Sequence, residues 1–311
     1  MLADSHFYTK LKQKAQIEIL VIGDHFASSE GATSDDLSWY NLLALSIEEF
    51  FEVETNMNLF PTEDIFQQYM EFKLGEHPPY DLVFLFYGNE KAEAEGEFIS
   101  IYEAFVKEII AQHAKAEIIS IASHEMDDGV VQSIKDIASF YGITFVDGKS
   151  FFTTGEQGLE STVDGVLLND QGHQMYHDKL FNYIRTYSYG NKKIDYPDRE
   201  EWVNEGAELF AKLQLLPLNM VNDSISLNFS GRFVGVVYET GPDHGIFDVY
   251  LDGAYIDSID AYDPNVETTN YTIISHELQE GDHAFTIQES LLSNENALGN
   301  EIEVTGLIVE Q

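Results

Sequence analysis

Two periods alternate along the first half of the chain. Four short, continuous apolar runs have the length and lack of polar interruption expected of strands buried on both faces: IEILVIG (17–23), DLVFLFYG (81–88), AEIISIAS (116–123) and ITFVD (143–147). Between them, apolar positions recur at helical spacing over about 37–52, 62–73, 97–113 and 128–141, and again from Gln171 to about Tyr187. Strand–helix alternation with connections of this length predicts a parallel sheet with helices on both faces, a three-layer α/β domain with right-handed crossovers.

The texture changes after Tyr189. The stretch GNKKIDYPDREEW is polar and reads as a connector, followed by a helix over about 198–212. From about Asp223 the period falls to two. ISLNFSG, FVGVVYETG, IFDVYLDGAYIDSI, YTIISHEL and HAFTIQE read as antiparallel strands. Asp252-Gly253 sits between two of them as a hairpin signal, and EGDH looks like a further turn. The expected organisation is an α/β domain over 1–190, a connector with a helix over 191–222, and a small antiparallel β-sandwich over 223–311.

Composition narrows the partners. The 311 residues are 44% hydrophobic, enough for a packed core, and contain no Cys, which excludes disulfides, thiolate metal sites and a cysteine nucleophile. A formal net charge of −39 repels phosphate backbones and anionic surfaces, so nucleic acid is not an expected partner. Between Leu213 and Gln311 the one basic residue is Arg232. No apolar run reaches the roughly 18 residues that a membrane span requires. The opening MLADSHFYTKLKQKAQ is too polar for a signal peptide, so the chain is expected in the cytoplasm, or secreted with a leader absent from this sequence. Nothing in the sequence fixes an oligomeric state.

Parallel α/β sheets build their sites at the carboxyl ends of the strands. The residues delivered there are Asp24 and His25 after the first run, Asn89 and Glu90 after the second, and Ser123, His124 and Glu125 after the third. The segment DGVLLNDQGH precedes the last helix, with Asp170 placed as its N-cap and His173 three residues on. An Asp and a His at that spacing can hydrogen-bond, which is the base-and-orienter half of a Ser–His–Asp device.

These stretches together resemble SGNH (GDSL-type) hydrolases. IEILVIGDHFASSEGA resembles their first block, a strand running into Gly-Asp-Ser; DLVFLFYGNEKA resembles the third, Gly-x-Asn-Asp; DGVLLNDQGHQMYHDKLFNYI is similar to the fifth, Asp-x-x-His followed by a helix. FSGRFVGVVYETGPDHGIFDVYLDG looks like the β-sandwich that accompanies many bacterial carbohydrate-active members. The resemblance implies an SGNH-like (flavodoxin-like) α/β fold, esterase or acylhydrolase chemistry without a cofactor, and an acylated carbohydrate, cell-envelope polysaccharide or other acylated small molecule as ligand. It also places His25 where the family has its nucleophilic serine, Glu90 where it has the oxyanion-binding Asn, and Lys91 where the next Asp stands. The second block should supply a glycine amide, and VETNMNLFPTEDIF contains no glycine. Asp170 and His173 match the fifth block.

The departures bear directly on chemistry. Losing the nucleophile of such a triad costs on the order of a millionfold in rate. A carboxylate in the oxyanion hole repels the developing charge, where a neutral donor is worth roughly 3–4 kcal/mol. Ser28 or Ser29 would have to replace the nucleophile from about 5 Å further along a helical turn. The expectation is therefore a degenerate hydrolase that binds without ordinary turnover. The alternative is an active esterase or deacetylase using His173, Asp170 and Ser28 or Ser29. A metal held by His25, Glu90, Asp170 and His173 is a third possibility, set against simple ion pairing of Glu90 with a histidine. Elsewhere the sequence suggests ordinary roles. His124 is a loop histidine, Trp39 a helix-start anchor, Trp202 a pin for the connector helix, and Tyr238, Tyr250 and Tyr255 cross-strand packing.

Overall fold

In the computed structural model, which describes residues 3–88, 95–152, 160–163, 165–190, 192–222, 224–265 and 267–311, the chain forms two compact units, Met1–Ala207 and Glu208–Gln311. The first unit is built on five strands: β1 (Ile17–Gly23), β2 (Thr55–Pro61), β3 (Leu82–Tyr87), β4 (Glu117–Ala122) and β5 (Thr144–Asp147). All pair in parallel, in the order β2-β1-β3-β4-β5. The helices are α1 (His6–Gln13), α2 (Trp39–Phe51), α3 (Ile65–Leu74), α4 (Glu95–Gln112), α5 (Asp128–Tyr141) and α6 (Asp170–Ser188). The three-layer α/β domain is therefore present. The central strands β3 and β4 are buried at every position, as continuous apolar runs require.

Local chemistry sets the helix starts. Ser38 caps α2 by accepting from the Asn41 amide, and Asp64 caps α3 by accepting from the amides of Phe66 and Gln67. Trp39 is completely buried at the head of α2. Its indole N–H donates to the Phe26 carbonyl at 3.1 Å, and its ring meets Phe84 and Phe86 edge-on. Two elements had no apolar signature to announce them. α1 is eight residues long, and β2, TNMNLFP, is an edge strand with no position fully buried.

The polar stretch after α6 differs from expectation. No helix spans 198–212; there is one short helix, α7 (Ala207–Ala211). Residues up to Ala207 belong to the first unit because a buried carboxylate holds them there. Glu103 on α4 accepts from the Tyr141 hydroxyl at 2.9 Å, from the amides of Val203 and Asn204 at 2.7 and 2.8 Å, and from Asn204 Nδ2 at 2.7 Å. Lys107, one turn on, lies 3.9 Å from the centre of the Trp202 ring. Trp202 thus pins extended chain rather than a helix.

The second unit is a sandwich of two four-stranded antiparallel sheets. Its strands are β6 (Leu213–Val221), β7 (Ile225–Ser230), β8 (Val234–Thr240), β9 (Ile246–Leu251), β10 (Ala254–Asp260), β11 (Thr268–Ser275), β12 (Asp282–Glu289) and β13 (Glu303–Glu310). The sheets run β6-β13-β8-β11 and β7-β12-β9-β10. Inward residues such as Phe229, Val236, Phe247, Phe285, Val304 and Leu307 form one core between them. The β9–β10 turn has positive φ at both Asp252 (51°) and Gly253 (79°), the type I′ geometry its sequence suggested. The sandwich begins at Leu213, ten residues before the expected boundary. Pro217 obscured β6, which is tolerated because β6 is an edge strand whose register shifts there.

Glu103→Ala should leave several donors without an acceptor in a dry site. We expect a loss of about 3 kcal/mol or more in urea denaturation of the full chain, with Glu103→Gln intermediate.

Candidate functional site

The carboxyl edge of the parallel sheet is organised by Asp24. Its carboxylate is buried and accepts from the amide of Phe26 at 2.9 Å and from that of Gly88 at 2.7 Å, tying the turn after β1 to the end of β3. The glycines beside it are sterically required. A side chain at Gly23 (φ +151°) would place its Cβ 1.8 Å from the Phe86 carbonyl oxygen, and one at Gly88 would meet the Phe26 ring at 2.2 Å. The Gly-Asp pair is needed to assemble this edge, whatever follows it.

His25 follows. Its amide donates to Glu63 Oε1 at 2.8 Å, and its Nδ1 lies 3.2 Å from Glu63 Oε2. Its Nε2 is buried and has no partner among the described residues. Among the described residues the carboxylate that meets His25 is Glu63, in the turn after β2, which the sequence offered no reason to single out. Glu90, the residue at the oxyanion Asn position and the one set against a metal site as the ion-pair partner of a histidine, lies outside the described residues, as does Lys91.

The Asp170–His173 hydrogen bond expected from spacing is not formed; each residue has other partners. The N-cap of α6 is Asn169, whose Oδ1 accepts from the amides of Gln171 and Gly172. This moves Asp170 from the cap into the first helical turn, which also holds His173. The Asp170 carboxylate accepts from the Thr33 amide at 2.8 Å and the Thr33 hydroxyl at 2.7 Å, and these bonds hold its pKa below the usual carboxylate value. His173 is 1% exposed. Its Nδ1 accepts from the Trp39 amide at 3.2 Å, which leaves the proton on Nε2, 3.4 Å from the Glu30 carbonyl oxygen. Burial lowers its pKa, with the Glu30 contact and the Asp170 charge opposing, so the neutral ring is favoured.

Ser28 closes a tight turn. Its hydroxyl donates to the His25 carbonyl at 2.8 Å and accepts from the Glu30 amide. Ser29 faces the Tyr40 hydroxyl. The turn 25–33 is thereby laid over the start of α6, and Gly31 (φ +89°) fits against the Leu168 carbonyl, where a Cβ would stand 2.2 Å away. Ahead of α6, Leu167–Leu168 pairs with Thr162–Val163 as a short antiparallel ribbon.

His124 lies in a loop, as expected, with its side chain nearly enclosed. Its side chain is 6% exposed, and neither ring nitrogen has a hydrogen-bond partner among the described residues; Nε2 lies 3.4 Å from Glu125 Oε1 without hydrogen-bond geometry. Its ring packs against Phe152 at 4.3 Å and edge-on to Phe26 at 5.9 Å; the other face of the cluster is His25, 4.5 Å from Phe26. Desolvation, helped by Lys149, pushes the His124 pKa down to about 4. Among the described residues no group of three or more His, Asp and Glu side chains is placed to hold a metal ion, and no helix is long and apolar enough to cross a membrane.

No protein-family model matches the chain, and no curated protein matches it. Solved structures do. A two-domain esterase active on acetylated mannans superposes with a TM-score of 0.72 at 13% identity, covering 99% of this chain and 96% of that one. A two-domain esterase active on acetylated mannans, co-crystallised with mannopentaose, gives 0.70 at 13% identity, over 97% and 94%. The likeness extends through both units, and the chain has the SGNH-like α/β fold followed by a β-sandwich.

Two outcomes follow. His173→Ala should cost about 2–4 kcal/mol in urea denaturation, since it empties a buried site and strands the Trp39 amide. His124 binds its proton more readily unfolded than folded, so its contribution is complete above about pH 6.5 and is lost as pH falls toward about 4. Between pH 7 and 5.5 the native chain should therefore lose more stability than His124→Phe, by on the order of 1 kcal/mol.

Proposed function

We propose that this protein is a carbohydrate-binding relative of the SGNH esterases that does not carry out their serine hydrolysis. The observation that carries this is the engagement of both His173 nitrogens, with the Trp39 amide and the Glu30 carbonyl. A ring so held neither takes a proton from a hydroxyl nor turns toward Asp170, which is bound to Thr33. Ser28 is no substitute, because its hydroxyl already donates to the His25 carbonyl three residues back.

The start of α6 supports a further step. An Asp-x-x-His block that precedes a helix fits Asp164–Leu167 better than Asp170–His173, since the helix begins at Asp170. Asp164 itself lies outside the described residues. In that register the imidazole's place is taken by Leu167, whose Cβ abuts Gly31 in the turn that follows His25. Nucleophile and base would then both be replaced, by His25 and Leu167, and His173 would be a residue of the fold.

Binding is supported separately. Buried polar atoms normally have partners, and His25 Nε2 and both His124 nitrogens gather around Phe26 without any among the described residues. Hydroxyls of a small polar ligand would satisfy them. The two-domain mannan esterases suggest that ligand's class.

Acetate release from acetylated mannan and p-nitrophenol release from its acetate ester should not exceed buffer controls, while the chain binds a soluble mannan in calorimetry. Turnover that disappears in Ser28→Ala, Ser29→Ala or His173→Gln would overturn the proposal and establish an active esterase.

A further inference from the structure

The outward face of the sheet β7-β12-β9-β10 has a composition that packing does not demand. Phe247, Val249 and Leu251 of β9 and Phe285 and Ile287 of β12 point into the core, so Asp248, Tyr250, Thr286 and Gln288 point away from it. On a face that needed nothing but solvation these would be unconnected, mobile polar groups. Here they are fixed to one another. Gln288 Nε2 donates to the Tyr250 hydroxyl at 2.9 Å, and the Ser258 hydroxyl donates to Asp248 Oδ1 at 2.6 Å while meeting the Tyr255 hydroxyl at 2.8 Å. The Tyr250 and Tyr255 rings pack 5.7 Å apart at a steep angle. The second Asp248 oxygen and the Gln288 amide oxygen have no protein partner among the described residues, so two acceptors are left facing outward from a pre-set frame.

Asp248, Tyr250 and Gln288 open onto a groove of about 530 Å³, also lined by Ser224, Glu289 and Leu291. That size lies within the roughly 300–1,000 Å³ usual for small-ligand clefts. Its rim is apolar in an unusual way. Leu291 is fully exposed and Leu292 is 62% exposed, immediately after β12. The turn that presents them is held by the Ser290 amide, which donates to the Ile246 carbonyl at 3.0 Å, and by the Ser290 hydroxyl, which accepts from the Leu292 amide at 3.1 Å. Two leucines displayed in water beside aligned acceptors and two tyrosines match a ligand with one apolar face and a fringe of hydroxyl donors.

Charge selects among such ligands. Asp248 and Glu289 line the groove, and the one basic residue of Leu213–Gln311, Arg232, is committed to Glu310 with Nη2–Oε1 at 2.6 Å and Nε–Oε2 at 3.1 Å. An anionic polymer would meet repulsion with no cation to offset it. We infer that this groove is a second glycan site, on the sandwich itself, and that it takes an uncharged oligosaccharide. The ring C–H face lies on Tyr250 and Leu291, with Tyr255 packed behind Tyr250, and the hydroxyls donate to Asp248 and Gln288. The inference rests on the carbohydrate reading of the protein but assigns it a place independent of the α/β site.

Affinity electrophoresis of the full chain tests it, in gels containing galactomannan, arabinoxylan or mixed-linkage β-glucan, with polygalacturonate as the anionic comparison. Tyr250→Ala, Gln288→Ala and His25→Ala are run alongside, each checked for a native melting transition. The expected result is retardation by at least one neutral polymer, about tenfold weaker in Tyr250→Ala, several-fold weaker in Gln288→Ala, and reduced at most in part in His25→Ala, which touches the α/β site alone. Retardation that survives Tyr250→Ala and disappears in His25→Ala would overturn this site while leaving the carbohydrate reading in place. Retardation by polygalacturonate above that by every neutral polymer would overturn the choice of an uncharged ligand. No retardation in any gel would overturn both.

Discussion

The buried ring of His173 is the constraint that holds the chain between β1 and α2 against the start of α6. It takes the Trp39 amide on one nitrogen and meets the Glu30 carbonyl with the other, while Asp170, one helical turn before it, holds Thr33. Two points of the loop after β1 and the head of α2 are thereby fixed to the first turn of α6. A pair of residues suited by type to proton transfer acts here as a clasp. The clasp needs a neutral ring, and burial supplies one. The same neutrality that would suit a general base is, in this setting, a condition of folding.

Most of the architecture was legible in hydrophobic period alone. β1, β3, β4 and β5 follow their apolar runs closely; the first three are strands buried on both faces, which must be written that way, and β5 is a half-buried edge strand. What stayed hidden was held by other forces. β2 is an edge strand whose stability comes from its ladder with β1, α1 is too short for a clear period, and β6 carries a proline that an edge position tolerates. The segment 191–207 looked like a linker because its attachment is polar, through Glu103 and Lys107, and apolar patterning carries no trace of such bonds.

The site was legible in part, and for a related reason. Topology brought Asp24, His25 and His124 to one edge, but spacing could not say which groups would pair. Glu63, from a turn with no apolar or motif signal, stands beside His25. The aspartate expected to cap α6 proved to sit inside its first turn, because Asn169 caps it. A side chain's partner depends on where a helix begins to within one residue, finer than periodicity resolves.

The carboxylate of Asp24 has a wider implication. By gripping two amides, from Phe26 and Gly88, beside glycines that admit no Cβ, it makes the Gly-Asp dipeptide a joint of the scaffold. A lineage that abandoned ester cleavage would still have to retain that dipeptide to close its sheet edge. Finding it at a strand end is thus testimony about architecture, and the residue immediately after it, free of that duty, is where competence for turnover must be judged.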